Sequence, residues 1–171
     1  MRVLVVFVGR PGTGKTTLAR LASAELAAAH LRIDAIEAAI VRSGLAKPPI
    51  SPVGYAIAHE IAASSLAAGS HVVVDAVSAV PEARAGWKTL ATLAHTPLRV
   101  IEVQLSDPVE HRRRVEARMS DIVGLVVPTW AQVTALDYEP WDVTRDGPRL
   151  LVRNDGTPAD TMHQVRPYLR P

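Results

Sequence analysis

The residues Gly9-Arg10-Pro11-Gly12-Thr13-Gly14-Lys15-Thr16 satisfy the pattern G-x-x-x-x-G-K-[ST] without a mismatch. Each fixed position answers a chemical need. Glycines let the backbone turn its N–H groups inward around a polyanion, and a helix beginning there adds its positive end. Lys15 reaches the outer phosphates, and the Thr16 hydroxyl is a ligand for Mg²⁺. A glycine-rich turn with an incidental lysine is the bland alternative. The apolar run before the motif and the helical spacing after it favour a nucleoside-triphosphate site contacted by Gly9 through Thr17. A dinucleotide fingerprint is excluded, because Thr17 stands where its third glycine would fall.

Two carboxylates stand at the ends of apolar runs. Val72-Val73-Val74-Asp75 reads as a buried strand ending in an acid. Open α/β sheets bind ligands beyond the carboxyl ends of their strands, so Asp75 is expected near the phosphates, holding Mg²⁺ directly or through water. A helix-capping aspartate is the alternative. Asp34 follows Leu31-Arg32-Ile33 and opens a helical segment containing Glu37. There it would accept or orient the proton of an acceptor hydroxyl, or cap the helix. Glu102 sits inside its run and reads as a solvated or paired strand residue. His59-Glu60 opens as a zinc-protease helix would, but Ala63 stands where the second histidine is required.

A third group is the cluster Arg112-Arg113-Arg114 with Arg118. On a helix from Asp107 to Met119, Arg114 and Arg118 are four apart and share a face, where they would serve a migrating phosphoryl group. Arg112 lies on another face, and Arg113 faces solvent or Glu110. A salt-bridged surface helix with Glu110 and Glu116 is the alternative.

These groups need a frame, and the chain alternates short β-branched runs with longer alanine-rich ones, an α/β pattern. Strands are expected at 2–8, Leu31–Ile33, His71–Asp75, Leu98–Leu105 and Arg149–Val152. Helices are expected at 14–29, Asp34 to Arg42, Val53 to Ala68, Pro81 to His95, Thr129–Leu136 and Pro158–Leu169. Lys47–Pro52 and 120–128 read as loops. Strand–helix–strand succession implies right-handed crossovers and a mostly parallel sheet with helices on both faces. A length of 171 residues suits one domain over 1–171, and 48% hydrophobic with 21% charged residues excludes wholesale disorder. With no cysteine, disulfides, thiolate zinc sites and a cysteine nucleophile are excluded. A net charge of +2, from 19 basic and 17 acidic residues, weighs against a nucleic-acid polymer as partner. The run Val3–Val8 is too short for a signal-peptide core or a membrane span, so a soluble, cytoplasmic protein is expected.

The order of the segments resembles the small P-loop kinases of the adenylate, gluconate and shikimate kinase type. It is more similar to the AAA-like kinase group that includes chloramphenicol phosphotransferase-like proteins and the kinase domains of polynucleotide repair enzymes. The residues that carry this are the P-loop, Arg32-Ile33-Asp34-Ala35-Ile36-Glu37, and Val74-Asp75-Ala76-Val77 followed by Arg84. The arginine-rich segment before Gly124, Pro128-Thr129-Trp130 and Asp137-Tyr138-Glu139-Pro140-Trp141 complete it, covering residues 1–152. The resemblance implies a five-stranded parallel core, ATP and Mg²⁺. It places Asp34 as the acceptor-site acid, Asp75 and Arg84 on the acceptor side, and Arg112, Arg114 and Arg118 in a lid at 107–128. Trp130, Tyr138 and Trp141 would wall the acceptor pocket or serve packing. The expected activity is ATP-dependent phosphorylation of a small-molecule hydroxyl (a nucleoside, nucleotide, sugar-like metabolite or antibiotic). A nucleic-acid 5′-hydroxyl kinase and a regulatory P-loop NTPase are the alternatives.

Overall fold

The computed structural model describes residues 2–48 and 50–169. Pro49, inside the expected Lys47–Pro52 loop, lies outside the described residues. Valine-rich runs become strands because β-branched side chains suit a pleat buried on both faces. β1 (Leu4–Val8) is wholly buried, and β3 (Val72–Asp75) lies beside it with Leu4 opposite Val72 and Phe7 opposite Asp75. β4 (Leu98–Gln104) flanks β1 on its other side. β2 (Ala29–Arg32) pairs with β3, and β5 (Leu150–Arg153) pairs with β4. Every pairing is parallel, and the order β2-β3-β1-β4-β5 makes β1 central. The expected α/β, three-layer P-loop architecture is the one observed.

Side-chain alternation along β1 builds two core layers. Leu4, Val6 and Val8 meet Leu66 of α3 (Ser51–Ala67) and Trp87 of α4 (Pro81–Leu93). Val3, Val5 and Phe7 meet Leu18 of α1 (Lys15–Leu26) and Met162 of α8 (Pro158–Leu169). Each of these large apolar side chains contributes about 1.5–3 kcal/mol by leaving water. The layers fix the carboxyl end of β1 between β3 and β4, and the P-loop leaves from that end.

Element boundaries differ where local chemistry or burial overrides spacing. The strand expected at Leu31–Ile33 is Ala29–Arg32, and Ile33 already begins α2 (Ile33–Arg42) because its side chain is buried in the first core layer. α5 (Pro108–Glu116) is capped by Asp107, whose carboxylate accepts from the Val109 N–H at 2.8 Å. It stops short of the expected Met119. The Ser120 hydroxyl accepts from the Ile122 N–H at 3.0 Å and donates to its carbonyl at 2.8 Å, a local turn that competes with helix continuation. Thr129 and Gln132 form a capping box on α6 (Trp130–Ala135). The short α7 (Val143–Asp146), too brief to show a period, was not expected. Among the described residues no helix is long and apolar enough to cross a membrane.

Candidate active site

Gly12 and Gly14 adopt φ of 87° and 90°, a region that only glycine enters without strain. Space forbids a side chain there as well, since a Cβ on Gly12 would strike Val115 and one on Gly14 would strike the Asn154 amide. The loop is braced from three sides. Asn154, at the carboxyl end of β5, donates its side-chain amide to the Thr13 carbonyl at 2.9 Å and accepts from the buried Thr161 hydroxyl at 2.8 Å. A His111 ring nitrogen lies 2.8 Å from the Pro11 carbonyl. Arg10 donates to the Val133 and Leu136 carbonyls at 2.8 and 3.2 Å, so its guanidinium ties the loop to α6 and to the residue just beyond it. α1 carries no acid in its first turn, whereas α2, α4 and α5 each carry one, so its positive end is left for an anion.

A cavity of about 290 Å³ opens over this turn, bordered by Gly12, Gly14, Lys15, Thr16 and Thr17 and by Arg114, Arg118 and Met119. Arg114 and Arg118, which helical spacing paired, do both border the P-loop cavity, but by a different route, because Arg118 lies beyond the end of α5. Arg114 is anchored by Glu110 at 2.7 Å and by the Asn154 carbonyl at 3.0 Å. Arg112, which the resemblance places with Arg114 and Arg118 near the nucleotide, instead pairs with Glu116 at 2.8 Å on the exposed face and does not border this cavity. Arg113 pairs with Glu110 at 2.6 Å, and hydrogen bonds from Arg113 and then Arg114 bring the Glu110 carboxyl down to about 2.

Asp34 is not the cap of α2: that position belongs to Arg32, with no side-chain capping bond, and Asp34 sits in the first turn. Its carboxylate lies 3.5 Å from the Arg118 guanidinium. Asp75 is 5% exposed, its Oδ2 is 3.6 Å from Arg32 Nε, and its Oδ1 has no hydrogen-bond partner. By alternation Asp75 shares the α1 side of the sheet with Phe7 and Val73, so it stands on the P-loop side and does not border the cavity that contains Asp34. Thr16 on the P-loop cavity and the orphaned Asp75 oxygen are hard oxygen donors of the kind Mg²⁺ takes together with phosphate oxygens, and in that respect these residues fit the ion.

Asp34 opens onto a second cavity of about 490 Å³. Its polar lining is Asp34, Glu37, Glu82, Tyr55 and His59, and its apolar lining includes Ile33, Val77, Val80 and Leu136, with Pro11 joining it to the P-loop. Tyr55 accepts from the Ser78 N–H at 2.9 Å. Burial raises its phenol above the ordinary value, and the charges of Glu37 and Asp34 add to the rise, while hydrogen bonding with Ser78 opposes it. Burial lowers His59, whose ring packs edge-on to Trp87 at 4.2 Å.

Arg84 does not line this cavity. It is 3% exposed and pairs with buried Asp146 at 2.8 Å, while its remaining donors reach the Ser78, Ala79, Glu139 and Pro140 carbonyls. Arg84 therefore anchors the 139–146 segment and has no donor left for a substrate. The aromatics serve packing too. Trp130 packs edge-on to His111 at 5.2 Å, Trp141 donates to the Gly147 carbonyl at 2.8 Å, and Tyr138 lies between Arg10 and Arg84. Glu102 is paired, with Arg149, and is buried rather than solvated. Tyr55, Glu37, Glu82, Asn154 and Asp121 were not anticipated as site residues. Asp121 ties the segment after α5 to Arg32 at 2.9 and 3.1 Å and to Arg20 at 2.7 Å, and hydrogen bonding from Arg32 and then Arg20 holds its carboxyl down to about 2. Of these only Asn154 carried a signal, its place just past the last expected strand.

The same fold occurs in several solved structures. A candidate kinase from Chloroflexus aurantiacus superposes with a TM-score of 0.75 at 19% identity, over 99% of each chain. The APS kinase of Mycobacterium tuberculosis, solved with AMPPNP and APS, gives 0.67 at 19% identity over 98% of this chain and 97% of its own. A gluconokinase from Sinorhizobium meliloti gives 0.66 at 17% identity over 99% and 93%. No curated protein sequence matches the chain. Residues 4–128 match the family model described as the AAA domain, and with most of its length so covered the chain belongs to that family.

Proposed function

We propose that this chain is an ATP-dependent kinase that transfers the γ-phosphoryl group to a hydroxyl of a small molecule, in the cytoplasm where ATP is supplied. One kinase unit spans 1–171, with 107–128 as its lid. The observation that carries the reading is the meeting of two cavities of opposite character at one ion pair, Asp34 with Arg118. The P-loop N–H groups and Lys15 would hold the phosphates of ATP, and Arg114 and Arg118 would stabilise charge on the migrating group. Mg²⁺, held through Thr16 and Asp75, would neutralise phosphate charge and polarise the transferring group. Asp34 would take the proton of the acceptor hydroxyl as that oxygen attacks.

The carboxylates of the acceptor cavity weigh against a polyanionic nucleic-acid acceptor. A cavity dedicated to a second small molecule weighs against a regulatory NTPase. The test is ADP release with and without a panel of hydroxyl acceptors. Release that rises with an acceptor, and falls by about 10³-fold or more in Lys15→Ala, is the expected result. Acceptor-independent turnover would favour the regulatory NTPase, and near-normal turnover in Lys15→Ala would remove the P-loop assignment.

A further inference from the structure

We propose that Asp121 is a positioning residue: it fastens the segment after α5 to β2 and α1, and so holds Arg118 at the P-loop cavity for the terminal phosphoryl group of ATP. The proposal rests on the kinase reading above and deepens it. Arg118 lies beyond the end of α5, and from there to α6 the chain forms neither helix nor strand. No residue from 116 to 129 is buried, and Met119, Val123 and Val126 expose most of their apolar side chains. A segment that buries so little apolar surface is not held by packing, so polar contacts must fix it.

Those contacts converge on one carboxylate. Arg32 donates to both Asp121 oxygens, at 2.9 and 3.1 Å, in the forked geometry that fixes direction as well as distance. Arg20 of α1 adds a third bond at 2.7 Å. Both arginines belong to elements of the site: α1 begins at Lys15, and Arg32 closes β2 two residues before Asp34. The Arg32 side chain is 11% exposed and its Nε lies 3.6 Å from the buried Asp75 carboxylate, so the anchor is itself held. Isolated exposed ion pairs contribute little, but a bidentate pair within the charge network Asp75, Arg32, Asp121 and Arg20 is of the kind that does.

Three residues of chain span at most about 10 Å, so fixing Asp121 confines Arg118. The other ties are weaker or more distant. Asp34 meets Arg118 in a single contact of 3.5 Å, and Arg42 holds the Val123 carbonyl further along the segment. Removing Asp121 should therefore loosen Arg118 without unfolding the chain, since Asp121 is half exposed and Arg32 keeps Asp75.

The probes are AMPPNP, which carries a third phosphoryl group, and ADP, which lacks it. Each is titrated calorimetrically with Mg²⁺ into the full chain. Asp121→Ala should weaken AMPPNP about tenfold, the scale of one hydrogen bond to a charged group, and ADP by less than about twofold. Its melting temperature should change little. Asp121→Asn, which keeps one acceptor oxygen and loses the charge, should fall between. Arg118→Ala should also weaken AMPPNP, and adding Asp121→Ala to it should cost nothing further, because the two residues act as one unit. A merely structural role would add its loss to that of Arg118→Ala and would weaken both nucleotides alike. Unchanged AMPPNP binding in Asp121→Ala or Arg118→Ala, additive losses, or an equal loss for ADP would overturn the proposal. Failure of AMPPNP to bind the unaltered chain removes the kinase reading and this inference with it, whereas normal binding there with no effect of Asp121→Ala removes only the inference.

Discussion

The two cavities that meet at Asp34 and Arg118 are built from opposite materials. The P-loop cavity is bordered by Lys15, Arg114 and Arg118 and by no carboxylate; its neighbour is bordered by Asp34, Glu37 and Glu82 and by no lysine or arginine among the described residues. The first is made largely of backbone, with positive φ at Gly12 and Gly14 and braces from Asn154 and His111. The second is made of side chains from α2, α3, α4 and the segment after α6. Sorting charge in this way favours a polyphosphate on one side and disfavours it on the other.

The sharpest way to break the comparison is at the boundary itself. Asp34→Asn preserves size and removes the charge, so it should lower turnover by about 10²–10⁴-fold. Nucleotide affinity should change little, because the P-loop and Lys15 are untouched. Steady-state turnover and a separate ATP titration distinguish the two effects. Turnover equal to that of the unaltered chain would mean that Asp34 only neutralises Arg118.

The same contrast decides what was legible in the sequence. The P-loop is contiguous, each of its fixed residues has a fixed duty, and the valines of β1 and β3 announce the strands that carry it. The wall of the second cavity has no such rule. Tyr55, Glu37 and Glu82 belong to different helices, and nothing in their spacing states that they face one space. Arg84 shows the opposite difficulty: an arginine shortly after Asp75 reads equally well pointing to substrate or to core. The partner that decides the matter, Asp146, lies 62 residues further on, in a helical turn too short to expect. Arg118 borders the P-loop cavity although it lies beyond the end of its expected helix, and its guanidinium meets the Asp34 carboxylate there.

The next largest effect should fall on stability rather than chemistry. Arg84→Met would remove the buried partner of Asp146 and leave several carbonyls without donors, at a cost of about 3–5 kcal/mol. Denaturant unfolding measures this, and turnover per folded molecule should change far less. Burial by itself raises the Asp146 carboxyl, but hydrogen bonds from Arg145, the Asp142 N–H and Arg84 outweigh it and hold it well below the usual carboxylate range. A depressed carboxyl contributes stability that is present above its unfolded value, about 3.9, and is lost as the pH falls toward the folded one. The unaltered chain should therefore lose stability steeply below about pH 4, and Arg84→Met less steeply. Loss of turnover without loss of stability would return Arg84 to the acceptor side.

The smallest effects come from separating the four arginines at 112, 113, 114 and 118, and they sharpen the comparison because only Arg114 and Arg118 border the positive cavity. Arg112 and Arg113 are mostly exposed and held by Glu116 and Glu110, and exposed pairs of this kind contribute little. Alanine at either should leave turnover within about twofold. Arg114→Ala and Arg118→Ala should each lower it by about 10²-fold, the scale of losing one donor to a transition-state oxyanion. A structural role for Arg114 must be set aside first, because it also bonds Glu110 and the Asn154 carbonyl. Arg114→Lys does this: it keeps a cation at the cavity and gives up the forked geometry, so partial recovery of turnover at unchanged melting temperature marks a role in charge stabilisation. If Arg113→Ala instead proves the most damaging of the set, the lid must approach the phosphates by its exposed face, and the division of charge between the two cavities fails with it.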